Sequence, residues 1–341
     1  MREASIKVAP DRDAYYFLRR ALAPLADLLA DSRVIEISVN RPGEVFVERL
    51  GASTMEFHAI PELSAREIEH IGERVAAASS QFISPVNPLL SAALPTGERI
   101  QIVLPPAAPD GGSISIRKQV INDLTLTQYR DAGGFDKVSV TVDGLSETEA
   151  SLNALLKAGL VHEFIETAIR ERVSILVSGG TSTGKTTFLN ACLKSIDERE
   201  RILTLEDTRE LFPPHRNAVH LLASRGDQGT AHVSIQTLLE ASLRMRPDRL
   251  FVGEIRGAEA FTFLRAINTG HPGSMSTVHA DTPMGAYEQL AMMMMQAGMS
   301  SGYSKGDLMS YIRMVIPIVI QLRRDGGLRG VSEIYYARRA P

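Results

Sequence analysis

The chain is poor in the features that would hold it together covalently or carry it across a membrane. It has one cysteine, no tryptophan and 6% aromatic residues. No stretch approaches the ~20 apolar residues that a membrane span requires. Cys192 alone can close no internal disulfide and anchor no zinc site built on paired cysteines, which points to a reducing compartment. Charge of neither sign dominates. Lys and Arg number 37 against 40 Asp and Glu, a net charge of −3, without the overall basic footprint of sequence-independent phosphate-backbone binding. The opening MREASIKVAPDRDAYYFLRRALAPL carries Asp11 and Asp13 and no uninterrupted apolar core before a small-residue cleavage site, so it does not read as a secretory signal. The longest apolar runs, such as Val315 to Ile320, have strand length. Membrane contact is therefore expected to be peripheral or through partners. What is present is an ordinary globular composition, 44% hydrophobic and 23% charged, and 341 residues accommodate roughly two domains.

From Tyr15 to Leu29, apolar residues recur at Phe17, Leu18, Ala21, Leu22, Leu25, Leu28 and Leu29, one face of a helix bent at Pro24. VIEISVN (Val34 to Asn40) and EVFVER (Glu44 to Arg49) alternate in the strand period around Arg41-Pro42-Gly43, which predicts a hairpin. Ser64 and Glu67 form a capping box at the start of SAREIEHIGERVAAASS. RIQIVLPP and SISIRK supply two further strands, so residues 1–120 read as a small α+β domain. Residues 121–160, with Gly133-Gly134 and one helical pattern beginning near Ser146, read as a partly helical linker. Over residues 161–341 the strand-length runs SILV, ILTL, LFV, MSTV and VIPIVI alternate with helical segments, the βαβ signature of an α/β domain with a parallel sheet. AMMMMQAGM (Ala291 to Met299) continues a helical pattern from Tyr287 and suits core or subunit packing.

Gly179-Gly180-Thr181-Ser182-Thr183-Gly184-Lys185-Thr186 fits G-x-x-x-x-G-K-S/T between an apolar strand and a helical stretch. In such a loop, with Thr187 just inside the helix, backbone N–H groups curl around phosphates and the helix dipole faces them. Lys185 should reach the β- and γ-phosphates, and Thr186 should offer its hydroxyl to Mg²⁺. Hydrolysis also needs a carboxylate to orient or deprotonate the attacking water, and acidic support for the metal. Glu206 and Asp207 follow the strand ILTL, and Glu254 follows Leu250-Phe251-Val252-Gly253, all at strand carboxyl ends where α/β sheets bind ligands. Glu254 is the expected base, Gly253 standing where an Asp is usual, with metal support from Thr186, Glu206, Asp207 and water. In GHPGSMSTVHA, His271 and His279 flank a short strand; without a third clustered ligand they suit sensing of the γ-phosphate or of a neighbouring domain better than zinc.

The order GGTSTGKTT, TLEDTREL, SLRMRPDRLFVGEIRG, TGHPGSMSTVHA resembles the Walker A, acidic box, Walker B and histidine box of the secretion ATPase superfamily of type II secretion, type IV pili and type IV secretion. VNRPGEVFVER and LPTGERIQIVLPP are similar to the VirB-eleven traffic ATPases of type IV secretion systems. The resemblance implies a RecA-like C-terminal domain, a hexameric ring, and ATP bound with Mg²⁺ between the two domains. It also implies that first-domain arginines approach the γ-phosphate; the matching positions are Arg99 and Arg117. The expected catalytic set is Lys185, Glu206, Glu254, His279, Arg99 and Arg117. Arg244, Arg246 and Arg256 flank the Walker B strand and could face a neighbouring subunit. The implied function is ATP hydrolysis that powers assembly of, or substrate transfer through, a type IV secretion or conjugation apparatus. The implied location is cytoplasmic, at the face of the bacterial inner membrane, with inner-membrane secretion components and other ATPases as partners. No direct nucleic-acid binding is expected. The alternative is a pilus or type II secretion motor, whose assembly members commonly carry a four-cysteine module that Cys192 alone cannot make.

Overall fold

The computed structural model describes residues 12–119, 124–136, 138, 144–224, 230–298 and 302–338. Helices α1 (Arg12–Ala21) and α2 (Ala26–Ala30) are separated by a 3₁₀ turn at Ala23–Leu25. The break falls at Pro24, which sits in the first turn of the 3₁₀ segment because it has no N–H to give to the preceding helix. Then follow β1 (Val34–Arg41), β2 (Glu44–Arg49), β3 (Glu56–Ala59), α3 (Ala65–Ala78), β4 (Leu89–Ala93), β5 (Arg99–Val103) and β6 (Ser113–Arg117). These strands form one antiparallel sheet in the order β3-β2-β1-β6-β5-β4. At the start of α3 the Ser64 hydroxyl accepts from the Glu67 N–H at 3.2 Å, but the Glu67 carboxylate lies 3.6 Å from His70 Nδ1. The expected reciprocal box thus forms only one of its two bonds there. Ile37, Val39, Ile100, Ile102, Ile114 and Ile116 face α1 and α3 in one core. The opposite face carries Glu36, Ser38, Asn40, Gln101, Ser113 and Ser115, all buried.

Two helices follow: α4 (Leu126–Asp131), which the sequence pattern did not suggest, and α5 (Glu147–Lys157), capped at Ser146 as expected. Residue 120, at the end of the expected first domain, and residues 121–123, 137 and 139–143 of the expected linker lie outside the described residues. Although α5 falls inside the expected linker, Leu152 is fully buried against α6 (Val161–Arg170) and the second sheet. The helix belongs to the C-terminal packing unit.

That unit continues with β7 (Ile175–Gly179), α7 (Lys185–Leu193), β8 (Ile202–Glu206), β9 (Ala218–Leu222), α8 (Ile235–Ser242), β10 (Arg249–Val252), α9 (Glu259–Asn268) and β11 (Met275–Val278). It closes with α10 (Pro283–Gln296), α11 (Lys305–Val315), β12 (Ile318–Asp325) and β13 (Leu328–Tyr336). The sheet runs β13-β12-β7-β11-β10-β8-β9, parallel except for the β12–β13 hairpin. Helices cover both faces, which is why its central strands read as unbroken apolar runs. The apolar run Val315 to Ile320 is not one strand. Val315 ends α11 and β12 begins at Ile318, because Pro317 disfavours helical backbone at the residue before it.

The N-terminal half packs its polar sheet face on the C-terminal unit. Arg246 makes a two-pronged pair with Glu48, at 2.6 and 2.9 Å. Arg201, fully buried, donates to Asn217 Oδ1 at 2.7 Å, to the Met245 carbonyl at 3.0 Å and to Asn40 Oδ1. On the outer strand β9, the Leu222 N–H donates to the Ala107 carbonyl at 2.8 Å, so the N-terminal half covers that edge. The phosphate loop follows β7, the fifth strand in from it.

Candidate active site

Two glycines explain how the sequence builds the loop between β7 and α7. Gly184 caps α7 at φ +94°, a left-handed conformation that L side chains resist. A Cβ on Gly179 would lie 2.8 Å from the Leu322 carbonyl oxygen and 2.5 Å from Thr183 Oγ1. Within the loop, Thr183 Oγ1 donates to the Gly180 carbonyl at 3.0 Å, and Lys185 Nζ donates to the Gly179 and Gly180 carbonyls at 2.8 and 2.9 Å. Lys185 is 9% exposed, and burial pushes its ammonium pKa down against the opposing pull of Glu254. Anionic phosphate oxygens would outcompete neutral carbonyls for this ammonium.

The acids divide into two groups with different work. Glu206, at the end of β8 and 3% exposed, accepts from the Glu210 and Leu211 N–H groups at 2.9 and 3.0 Å. Burial raises its carboxyl pKa to about 7, and its Oε2 has no partner among the described residues. It thereby sets Glu210, whose Oε2 accepts from the Thr186 hydroxyl at 3.1 Å. Thus Glu210, overlooked in the sequence, is the carboxylate that touches the expected metal ligand. A Cβ on Gly253 would stand 3.2 Å from Glu206 Cγ, so the Glu206 side chain occupies the space that an Asp there would need.

Glu254 begins the turn after β10. Its Oε1 lies 3.1 Å from His279 Nε2 and its Oε2 accepts from Arg256 Nη2 at 2.5 Å, while Arg256 Nη1 donates to Asp207 at 3.0 Å. Thr277 Oγ1 donates to the Gly253 carbonyl at 2.8 Å and fixes the backbone ahead of Glu254. These groups and residues 181–187 line a cavity of about 490 Å³. Arg256 and Arg329 also line it.

Other expected residues lie elsewhere. His271 sits at the opposite end of β11, with Nδ1 2.9 Å from the Pro247 carbonyl; burial pushes its pKa down, and its place is beside the contact with the N-terminal half. Arg244 and Arg246 bond to Ser91 and Glu48 of their own chain, and Arg256 is in the cavity. Arg99 and Arg117 are cross-strand partners on β5 and β6, exposed, and do not line the cavity within the chain. In the methionine run Met294 is core while Met292 and Met295 are exposed. Met299 lies outside the described residues.

The donor set fits a small, hard cation. Among the described residues no cluster of three or more His, Cys, Asp or Glu side chains could hold a metal by itself. The hydroxyl of Thr186, with the nearby oxygens of Glu206, Asp207 and Glu210, suits an ion that keeps waters and shares phosphate oxygens, as Mg²⁺ does.

With β11 between the loop strand β7 and the acid strand β10, the sheet and its glycine-rich loop define a RecA-like P-loop nucleotide-binding protein. A family model described as Type II/IV secretion system protein matches residues 19–324, and the chain belongs to this family, on its VirB11 branch. The type IV secretion system protein VirB11 of Bartonella quintana is 38% identical over 328 residues, covering 92% of this chain and 91% of the relative. Protein VirB11 of Agrobacterium fabrum is 33% identical over 325 residues, covering 94% and 93%. The crystal structure of the VirB11 ATPase from the Brucella suis type IV secretion system in complex with sulphate superposes with a TM-score of 0.87. It is 37% identical, with 94% of this chain and 99% of that chain covered.

Proposed function

We propose that this chain is a Mg²⁺-dependent ATPase of a type IV secretion system. The placement of Glu254 carries the reading: it lies in the turn after β10, the strand two places from β7, opens into the phosphate-loop cavity, and is oriented from both sides by His279 and Arg256. The phosphate chain binds at residues 179–187. Lys185 leaves the loop carbonyls for the β- and γ-phosphate oxygens. Glu254 orients a water whose oxygen bonds to the γ-phosphorus as the bond to the β–γ bridging oxygen breaks, and it takes the water proton; ADP and phosphate result. Thr186 would hold Mg²⁺, with Glu206, Asp207 and Glu210 toward its waters, and the ion would offset the negative charge of the phosphate groups.

Within one chain the cavity takes no residue from the N-terminal sheet. Arg99 and Arg117 therefore act, in this reading, on the γ-phosphate of a neighbouring copy in a ring of six. The ring sits peripherally at the cytoplasmic face of the inner membrane and works with other secretion components and ATPases. No helix among the described residues is long and apolar enough to cross a membrane. The test is a pair of variants. Lys185→Ala should lose nucleotide binding, and Glu254→Gln should bind Mg·ATP yet hydrolyse it at least about a hundredfold more slowly. Near-normal turnover in Glu254→Gln removes that residue from the role.

A further inference from the structure

We infer that Arg329, seconded by Arg324, is a phosphate-contacting residue of the nucleotide site, delivered to the loop by the β12–β13 hairpin; this rests on the ATPase reading above. The backbone puts the hairpin there. Parallel pairing of β12 with β7 ends at Leu322 opposite Gly179, the first residue of the phosphate loop, so the following residues rise beside that loop. The hairpin turns on Gly326 and Gly327, with φ of +54° and +97°, the conformation of a tight two-residue turn matched to strand twist. Arg324 and Arg329 are directly opposed across it.

Strand alternation fixes the face they share. Ile318, Ile320 and Leu322 pack with Leu189 and Leu193 of α7, so Arg324, in the same phase, falls on the α7 face, and so does its cross-strand partner Arg329. The observed contact agrees: Arg329 Cδ lies 3.6 Å from where a Gly184 Cβ would stand, and Arg329 lines the loop cavity.

Chemistry then singles this pair out. Three cationic side chains line the cavity. Lys185 is bonded to loop carbonyls, and Arg256 is paired with Glu254 and Asp207. Arg329 and Arg324 have neither hydrogen bond nor ion pair among the described residues. Like charges directly opposed on one strand pair are unfavourable. Two opposed arginines with no ion-pair partner among the described residues, one of them beside the phosphate loop, suit an anionic chain that can bridge them, and the guanidinium fork matches two phosphate oxygens. The ligand is the polyphosphate of the nucleotide held at Gly184–Thr186.

Calorimetric titration of the full chain with Mg·ADP, and with Mg·ATP in a Glu254→Gln background, tests this. Arg329→Ala should weaken ADP binding about tenfold and flatten its salt dependence. Arg329→Lys should recover part of the loss, and Arg324→Ala should cost about two- to threefold. The nucleotide-free melting temperature of Arg329→Ala should equal or exceed that of the wild type, since a repulsion is removed, while the rise on adding Mg·ADP should shrink. Unchanged ADP affinity in Arg329→Ala, with binding lost in Lys185→Ala, overturns the assignment and leaves the site intact. A fall in nucleotide-free melting temperature that matches the affinity loss also overturns it. Retained binding in Lys185→Ala overturns the site itself.

Discussion

Replacing Glu36 by glutamine should make the chain more stable than the wild type at about pH 8.5 and equal to it near pH 5. Glu36 lies on β1, 2% exposed, where the N-terminal sheet meets the C-terminal unit, and its Oε1 has no partner among the described residues. Burial raises its carboxyl pKa from 4.5 to about 8, against the opposing pull of Arg201, Arg117 and Arg246 and with a small push from Glu48. A folded value above the unfolded one means that the folded chain holds the proton more tightly. The stability this contributes is complete below about pH 4.5 and is lost as pH rises through about 8. At about 1.4 kcal/mol per tenfold change in proton affinity the full span is ~5 kcal/mol, an upper bound that water and side-chain relaxation reduce to about 1–3 kcal/mol. Glutamine keeps the shape and has no proton to lose, so its denaturation midpoint should be flat where the wild type falls. The chain lacks tryptophan, so urea unfolding followed by far-ultraviolet circular dichroism at about pH 5, 7 and 8.5 is the assay. A midpoint difference that does not change with pH, or one that favours the wild type as pH rises, refutes the reasoning.

Glu210→Ala should raise the Mg²⁺ concentration for half-maximal ATPase activity by about tenfold, because the Thr186 hydroxyl loses its orienting carboxylate; a metal titration of turnover measures this. Arg246→Ala should lower the denaturation midpoint by the equivalent of about 1–3 kcal/mol through loss of the Glu48 pair. Arg246→Gly should lose about 1 kcal/mol less, since Arg246 holds φ +54°, which glycine adopts freely. Arg99→Ala and Arg117→Ala should cut turnover more than about tenfold while changing ADP affinity less than about threefold. Mixing either variant with Lys185→Ala should restore part of the activity, and a mixture as inactive as its components contradicts action across copies.

The parts legible in the sequence were those where local chemistry and fold agree. The loop from Gly179 to Thr186 sits between a five-residue buried strand and a helix, and the ends of β8 and β10 carry the acids that the cavity gathers. The hairpin of β1 and β2 and the break at Pro24 were read from period and proline alone. What escaped depends on contacts distant in sequence. Glu210 belongs to no motif, and the Thr186 hydroxyl that bonds it lies 24 residues earlier, while Glu206 supports it through the Glu210 and Leu211 N–H groups. Strand β13, LRGVSEIYY, is glycine-bearing and mostly exposed, so its period carries little core signal, and Arg329 could not be placed by the loop. β9 is a short strand whose side chains enter the C-terminal cores and whose outer rim is covered by the N-terminal half. Arg244 and Arg246 follow no pattern that distinguishes a neighbouring subunit from the chain's own first sheet.

The cover over β9 also bears on self-association. A seven-stranded sheet has two rims, and each unpaired row of N–H and C=O groups is a template on which another chain can polymerise. One rim is sealed by the chain itself, through the Leu222 bond to Ala107 and the arginine contacts beside it. The other, β13, is left open but charged and glycine-bearing, with Arg329 at its start and Glu333 within it, features that discourage edge-to-edge growth. A fragment cut back to the C-terminal unit would unseal the apolar β9 rim, and it should aggregate where the whole chain does not.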